Sequence, residues 1–153
     1  MNGLELLKED HKRVQTLFDQ VKATENEKQH KQLFKKIKTE LDTHTYIEEK
    51  VLYPMLKKYE EFKEQALEAI EEHLQVKTLL RSLERLSEGT ERFDAKLMVL
   101  IGDVEHHVEE EEQEIFPKIE KQFSQEQLEE MGQELESAKK EFSKPRSRAA
   151  SSR

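Results

Sequence analysis

The stretch His44-Thr45-Tyr46-Ile47-Glu48 decides the reading of this chain, because it returns as His107-Val108-Glu109-Glu110-Glu111. Each copy sets a glutamate four residues after a histidine, one helical turn away, so both side chains leave the same face of a helix. A lone histidine precedes each copy, His11 by 33 residues in the first and His73 by 34 in the second. Each copy also closes alike, on Leu52-Tyr53-Pro54 and Ile115-Phe116-Pro117, with the proline ten residues after the paired histidine. One HxxxE in so glutamate-rich a chain arises easily by chance. Four histidines and two carboxylates, duplicated 62 to 63 residues apart, read as a site for two metal ions.

The apolar pattern places these residues. Leu4, Leu7, His11, Val14, Phe18 and Val21 follow the three-and-four spacing of a helical seam. A second helix carries Ile37, Leu41, His44, Glu48 and Leu52, a third Ala66, Ala69, His73, Val76 and Leu80, and a fourth Leu97, Leu100, Val104, His107 and Glu111. Every candidate ligand falls inside an apolar stripe. A bundle with a few satisfied core histidines is the bland alternative. Six polar groups in one layer would, however, cost about 1–3 kcal/mol each if unpaired, against a total stability of about 5–15 kcal/mol. The layer needs a partner, and bound cations supply one.

The spacing predicts helices over about 3–24, 28–58, 61–87 and 92–121, with Pro54 and Pro117 kinking or ending the second and fourth. Short polar links around Glu25-Asn26-Glu27 and Ser87-Glu88-Gly89-Thr90 imply antiparallel neighbours. Ser124 with Gln127 has the form of a capping box. The predicted fold is all-α: an antiparallel up-down-up-down four-helix bundle over residues 1–123, a short fifth helix over 124–142 and a disordered basic tail over 143–153. His30 is expected to be exposed among Glu, Lys and Gln. His106 sits about 100° off the stripe, and only His107 reproduces the interval to proline. Glu49, Glu109, Glu110 and Glu112 are expected to be solvated.

Composition agrees with long amphipathic helices: 39% charged and 34% hydrophobic residues, with four glycines and three prolines in 153 residues. The absence of cysteine excludes disulfides and thiol chemistry. No run approaches the 18 or so apolar residues of a membrane span, and the charged N-terminal stretch does not suit a signal peptide. A cytoplasmic location follows as the expectation. A formal net charge of −8 disfavours nucleic acid as a partner.

The two-copy His/HxxxE arrangement, over about residues 1–121, resembles the hemerythrin-like (HHE cation-binding) family. The resemblance implies a non-haem di-iron centre, two Fe ions with an oxo, hydroxo or water bridge. By position His11 and His44 would bind one iron, His73 and His107 the other, and Glu48 and Glu111 would bridge them. Oxygen-carrying hemerythrins have a second histidine one turn after the third-helix ligand, where this chain has Lys77, and an aspartate five residues after the fourth-helix histidine, where it has Glu111 at four. The expected function is binding of O₂ or a related small ligand (NO or peroxide) for sensing, storage or scavenging. The alternatives are a di-iron enzyme acting on peroxide or nitric oxide, and a metal-free helical module docking on an unidentified protein partner. Leu7 before His11 corresponds to Ala69 before His73, and the smaller side chain is expected to leave room beside the centre.

Overall fold

The computed structural model describes residues 1–86 and 91–144; the second expected link and all of the tail beyond Lys144 lie outside them. Helix α1 (Gly3–Lys22) opens on a capping box, in which the Asn2 side chain accepts the Glu5 N–H and the Glu5 carboxylate accepts the Asn2 N–H. Helix α2 (Glu27–Ile47) is capped by Asn26. A π turn over Glu48–Leu52 follows, then α3 (Tyr53–Lys57) and α4 (Glu60–Arg85). Helix α5 (Glu91–Glu110) runs into a second π turn at Glu111–Ile115, then α6 (Phe116–Gln122). Ser124 and Gln127 form the expected capping box at the start of α7 (Gln125–Ser143).

The prolines neither break nor end their rods. The Tyr53 N–H bonds to the Glu48 carbonyl, and the Phe116 N–H to the Glu111 carbonyl, each five residues back. The extra residue in a π turn shifts the hydrogen-bond register. Pro54 and Pro117 then fall in the first turn of α3 and α6, where a missing N–H costs least. In both copies the π turn begins at the glutamate of the HxxxE unit.

Along every rod the apolar residues on either side of the histidine belong to different hydrophobic clusters. Leu7 and Val14 flank His11 in this way, Ile47 and Leu41 flank His44, Ala69 and Val76 flank His73, and Ile115 and Val104 flank His107. The alternation of direction is that of an antiparallel bundle, with a polar layer sandwiched between two apolar ones. Helix α7 lies across α1, α2 and the first π turn, adding Leu128, Met131, Leu135 and Ala138 to the cluster that holds Leu7 and Ile47.

His30 departs from expectation. It is buried, with Nδ1 3.0 Å from an Asp94 carboxylate oxygen and Nε2 3.1 and 2.6 Å from the Val21 and Thr24 carbonyls. Carboxylates and carbonyls only accept, so both ring nitrogens donate and the ring is an imidazolium joining the α1–α2 link to α5. The charged neighbours that suggested exposure, Glu27, Lys28 and Lys31, flank it along α2, whereas its partners are two carbonyls at the end of α1 and in the link, and Asp94 of α5. His106 is exposed, as expected.

Helix α7 seats closely because Gly132 lacks a side chain: a Cβ there would stand 2.4 Å from the Met1 carbonyl oxygen. A glycine-to-alanine change inside a helix ordinarily stabilises by about 0.5–1 kcal/mol. Gly132→Ala should instead destabilise by about 1–3 kcal/mol through overpacking against backbone, seen as a lower urea midpoint; a raised midpoint would contradict this seating.

Candidate metal centre

The six residues singled out by the repeat converge at mid-bundle. Ligand atoms of His11, His44, Glu48 and Glu111 all lie within 4.8 Å of one another, as do those of Glu48, His73 and His107. Glu48 belongs to both groups. The two carboxylates are 0% and 1% exposed, each one helical turn after its histidine and so on the same inward face. The rings pair as the repeat does, with His11 and His44 centroids 4.9 Å apart and those of His73 and His107 5.0 Å apart.

Outside this layer lies a second, equally duplicated set of carboxylates. His11 Nδ1 lies 2.6 Å from Glu112, His44 Nδ1 3.0 Å from Asp10, His73 Nδ1 2.8 Å from Glu49 and His107 Nδ1 2.6 Å from Glu72. An ionised carboxylate only accepts, so each Nδ1 carries a proton and each Nε2 is left facing inward, free to offer its lone pair to a cation once it holds no proton. This is how proteins fix the tautomer of metal-ligating histidines. Burial pushes Asp10 and Glu49 up, but His44 with Lys139 and His73 with Lys77 prevail and hold them below the usual carboxylate range. The hydrogen bond from His107 likewise lowers Glu72.

Glu49 and Glu112 were expected to be solvated and are instead these ring acceptors. The repeat carried the signal: an acid precedes each lone histidine (Asp10, Glu72), and a second acid follows each HxxxE glutamate (Glu49, Glu112). Lys77, at the position of the hemerythrin histidine, donates to Glu49 at 2.9 Å, so the departure supplies a cation that steadies the acceptor of His73.

Tyr53 went unread in the sequence, and the structure places its hydroxyl in the layer. Its oxygen is 2.9 Å from Glu48, 2.8 Å from Glu111, 3.2 Å from His73 Nε2 and 3.5 Å from His107 Nε2. One phenol proton cannot serve two carboxylates at once. Burial and those two carboxylates push the phenol well above its usual range. Its counterpart in the repeat, Phe116, stacks on His11 with centroids 6.0 Å apart and offers no oxygen. The two halves therefore differ by this hydroxyl.

On the His11 side four buried atoms have no hydrogen-bond partner: His11 Nε2, His44 Nε2, Glu48 Oε2 and Glu111 Oε1. They stand in close pairs, His11 Nε2 to Glu111 Oε1 at 3.2 Å and His44 Nε2 to Glu48 Oε2 at 3.1 Å, without the angles of a hydrogen bond. Unpaired polar atoms at such burial are costly. A cation accepting all four removes that cost, and imidazole nitrogen with carboxylate oxygen is a donor set for iron, manganese or zinc.

Protons compete for the same positions. Burial would lower His44, yet the Glu48 charge and the hydrogen bond to Asp10 raise it to about 10. His73 and His107 are raised too, by Glu48 with Glu49 and by Glu111 respectively, against the opposing effect of burial. Glu48, which burial would raise, is held well below its usual range by His44.

The chain matches the Hemerythrin HHE cation binding domain over residues 2–119. It belongs to that family. It is 31% identical over 133 residues to a hemerythrin-like protein of Schizosaccharomyces pombe, covering 86% of this chain and 66% of that one. It is 30% identical over 140 residues to a DNA nickase of a Nostoc strain, covering 91% of this chain but only 39% of that protein's length. The crystal structure of a Hemerythrin HHE cation binding domain-containing protein from Mycobacterium kansasii superposes with a TM-score of 0.76 at 26% identity, over 93% of this chain and 87% of that one. No helix among the described residues is long and apolar enough to cross a membrane.

Two outcomes follow. A histidine raised from 6.5 to about 10 on folding contributes stability that is complete below the lower value and lost as pH rises towards the higher. Chelator-treated protein should therefore lose stability across that interval, and a urea midpoint that stays flat or climbs there would contradict the ring environment. Glu49→Gln keeps the shape but removes the charge facing His73 and Lys77; it should weaken metal retention about 10- to 100-fold in chelator competition, whereas a solvated Glu49 would leave retention unchanged.

Proposed function

We propose that this protein holds a non-haem di-iron centre that binds O₂ or a related small ligand, for sensing, storage or scavenging. His11 and His44 would hold one ion and His73 and His107 the other, with Glu48 and Glu111 shared between them. The Tyr53 hydroxyl, 3.2 Å from His73 Nε2, would offer an oxygen donor on the His73 side of the layer. The observation that carries this reading is the inward turn of four Nε2 atoms, each ring fixed by a carboxylate on Nδ1, onto two fully buried glutamates. Bound iron supplies an open coordination position for a diatomic ligand and the redox change that goes with it.

The residues around the layer define what can approach. A void of about 20 Å³ lies against His11, His44, His73 and His107 and is walled by Val14, Leu41, Val76 and Val104. It is large enough for one small molecule. The aliphatic walls disfavour water, and Thr45, also in the lining, spends its hydroxyl proton on the Leu41 carbonyl, which favours retention of a diatomic over its reduction. Phe18, Ile37, Leu80 and Leu100 belong to the same buried cluster as these wall residues without lining the void.

Tyr53 supports the second reading, peroxide or nitric oxide chemistry. Its hydroxyl is a buried proton donor within reach of both shared carboxylates and could hand a proton to a ligand in the layer. The Nostoc relative's nicking activity is not extended to this chain, whose net charge of −8 opposes a phosphate backbone.

Anaerobic reconstitution with Fe²⁺ should give close to two irons per chain. His44→Ala and His107→Ala should each lose metal; full retention in both would refute the assignment. Reversible uptake of O₂ by the loaded protein is the expected result, and steady consumption of peroxide or nitric oxide would move it to the enzymatic reading.

A further inference from the structure

The repeat makes the two sides of the centre comparable residue by residue, and one side is sealed. Leu6, Leu7 and Ile47 line the α1–α2 groove and are buried in one cluster with Met131, Leu135 and Ala138 of α7. Lys139 of α7 then bonds Asp10 at 2.6 Å, closing the groove over the acceptor of His44.

The matching groove between α4 and the α5 rod has the opposite character. At the offset of 62 to 63 residues, Leu6 becomes Glu68, Leu7 becomes Ala69, Ile47 becomes Glu110 and Val51 becomes Glu114. This groove is a cleft enclosing a void of about 50 Å³, with Glu68 and Glu114 exposed, Glu72 and Glu110 part-buried and the buried Glu111 lining it beside His107. Glu111 holds one of the four unpartnered buried atoms, Oε1. Acidic residues thus descend from solvent to the buried Glu111, which reaches across the layer with Oε2 3.2 Å from His107 Nε2 and the unpartnered Oε1 3.2 Å from His11 Nε2, past an alanine where the sealed side has leucine.

We infer that the acid-lined cleft between α4 and the α5 rod is the port through which divalent cations reach the centre. The inference rests on the metal-centre reading above. A neutral diatomic gains nothing from such a lining, whereas a dehydrating divalent cation is drawn in and passed from carboxylate to carboxylate; clefts lined by one sign of charge raise on-rates by about 10- to 1,000-fold. Ala69 leaves the width, and among the described residues no helix covers the mouth as α7 covers the opposite groove.

Metal uptake by the full chain, stripped by chelator and mixed anaerobically with Fe²⁺ against a metal-sensitive dye, tests this by rate rather than by activity. Glu68→Gln with Glu114→Gln alters only exposed rim residues. It should slow loading about tenfold at low ionic strength, with the deficit shrinking as salt screens the rim and the final metal content unchanged. Glu126→Gln with Glu130→Gln, an equal charge change on the exposed face of α7, should load like the unaltered protein. Ala69→Leu should load slowly at every ionic strength. Equal loading rates for the rim variant and the α7 control would overturn the port even if Ala69→Leu fails to fold. An unaltered protein that takes up no iron at saturation would instead overturn the metal centre itself.

Discussion

Two glutamates and four imidazoles share a dry layer between two hydrophobic clusters, and the rest of the molecule is arranged around making that tolerable. Neither carboxylate can be solvated, and each imidazole already spends its Nδ1 proton on an outer acid. What remains inside is a ring of lone pairs and negative charge that either protons or metal cations must neutralise. The raised histidines and lowered glutamates express the protonic solution. The four unpartnered atoms on the His11 side mark where the metallic solution fits.

The outer acids give the layer its precision. Asp10 and Glu72 reach the paired histidines from the helices before them, while Glu49 and Glu112 cross to the lone histidines of the opposite half. Each half therefore helps to orient the other, and the pseudo-symmetric repeat becomes one centre instead of two independent ones. Lys77 and Lys139 hold Glu49 and Asp10 in turn. Through Lys139, helix α7 is tied to the orientation of His44 as well as to the apolar core.

Departures from the repeat are where the two halves acquire different work. Tyr53 against Phe116 puts a phenol oxygen beside His73 and a stacked ring beside His11. Leu7 against Ala69, with glutamates replacing aliphatic residues around it, leaves one groove fit to be covered by α7 and the other fit to face water. The apolar void walled by Val14, Leu41, Val76 and Val104 and the acidic cleft beside Ala69 approach the same histidines with opposite chemistry.

Spacing alone determined the all-helical bundle, the capping box at Ser124 and the six polar residues of the layer, because a periodic apolar stripe dictates which residues face inward, whatever they face. It also held the outer acids in plain view, at matched places in the repeat. Only the tertiary structure decided what those acids touch, since Glu49 and Glu112 meet histidines of the opposite half and no local pattern encodes a partner far away in the chain. The same holds in part for His30: the Val21 and Thr24 carbonyls are close in sequence, but Asp94 is supplied from α5. The π turns belong here too: Pro54 and Pro117 announce a disturbance of the helix, but packing determines that the chain answers with one extra residue per turn and so carries Tyr53 into the site.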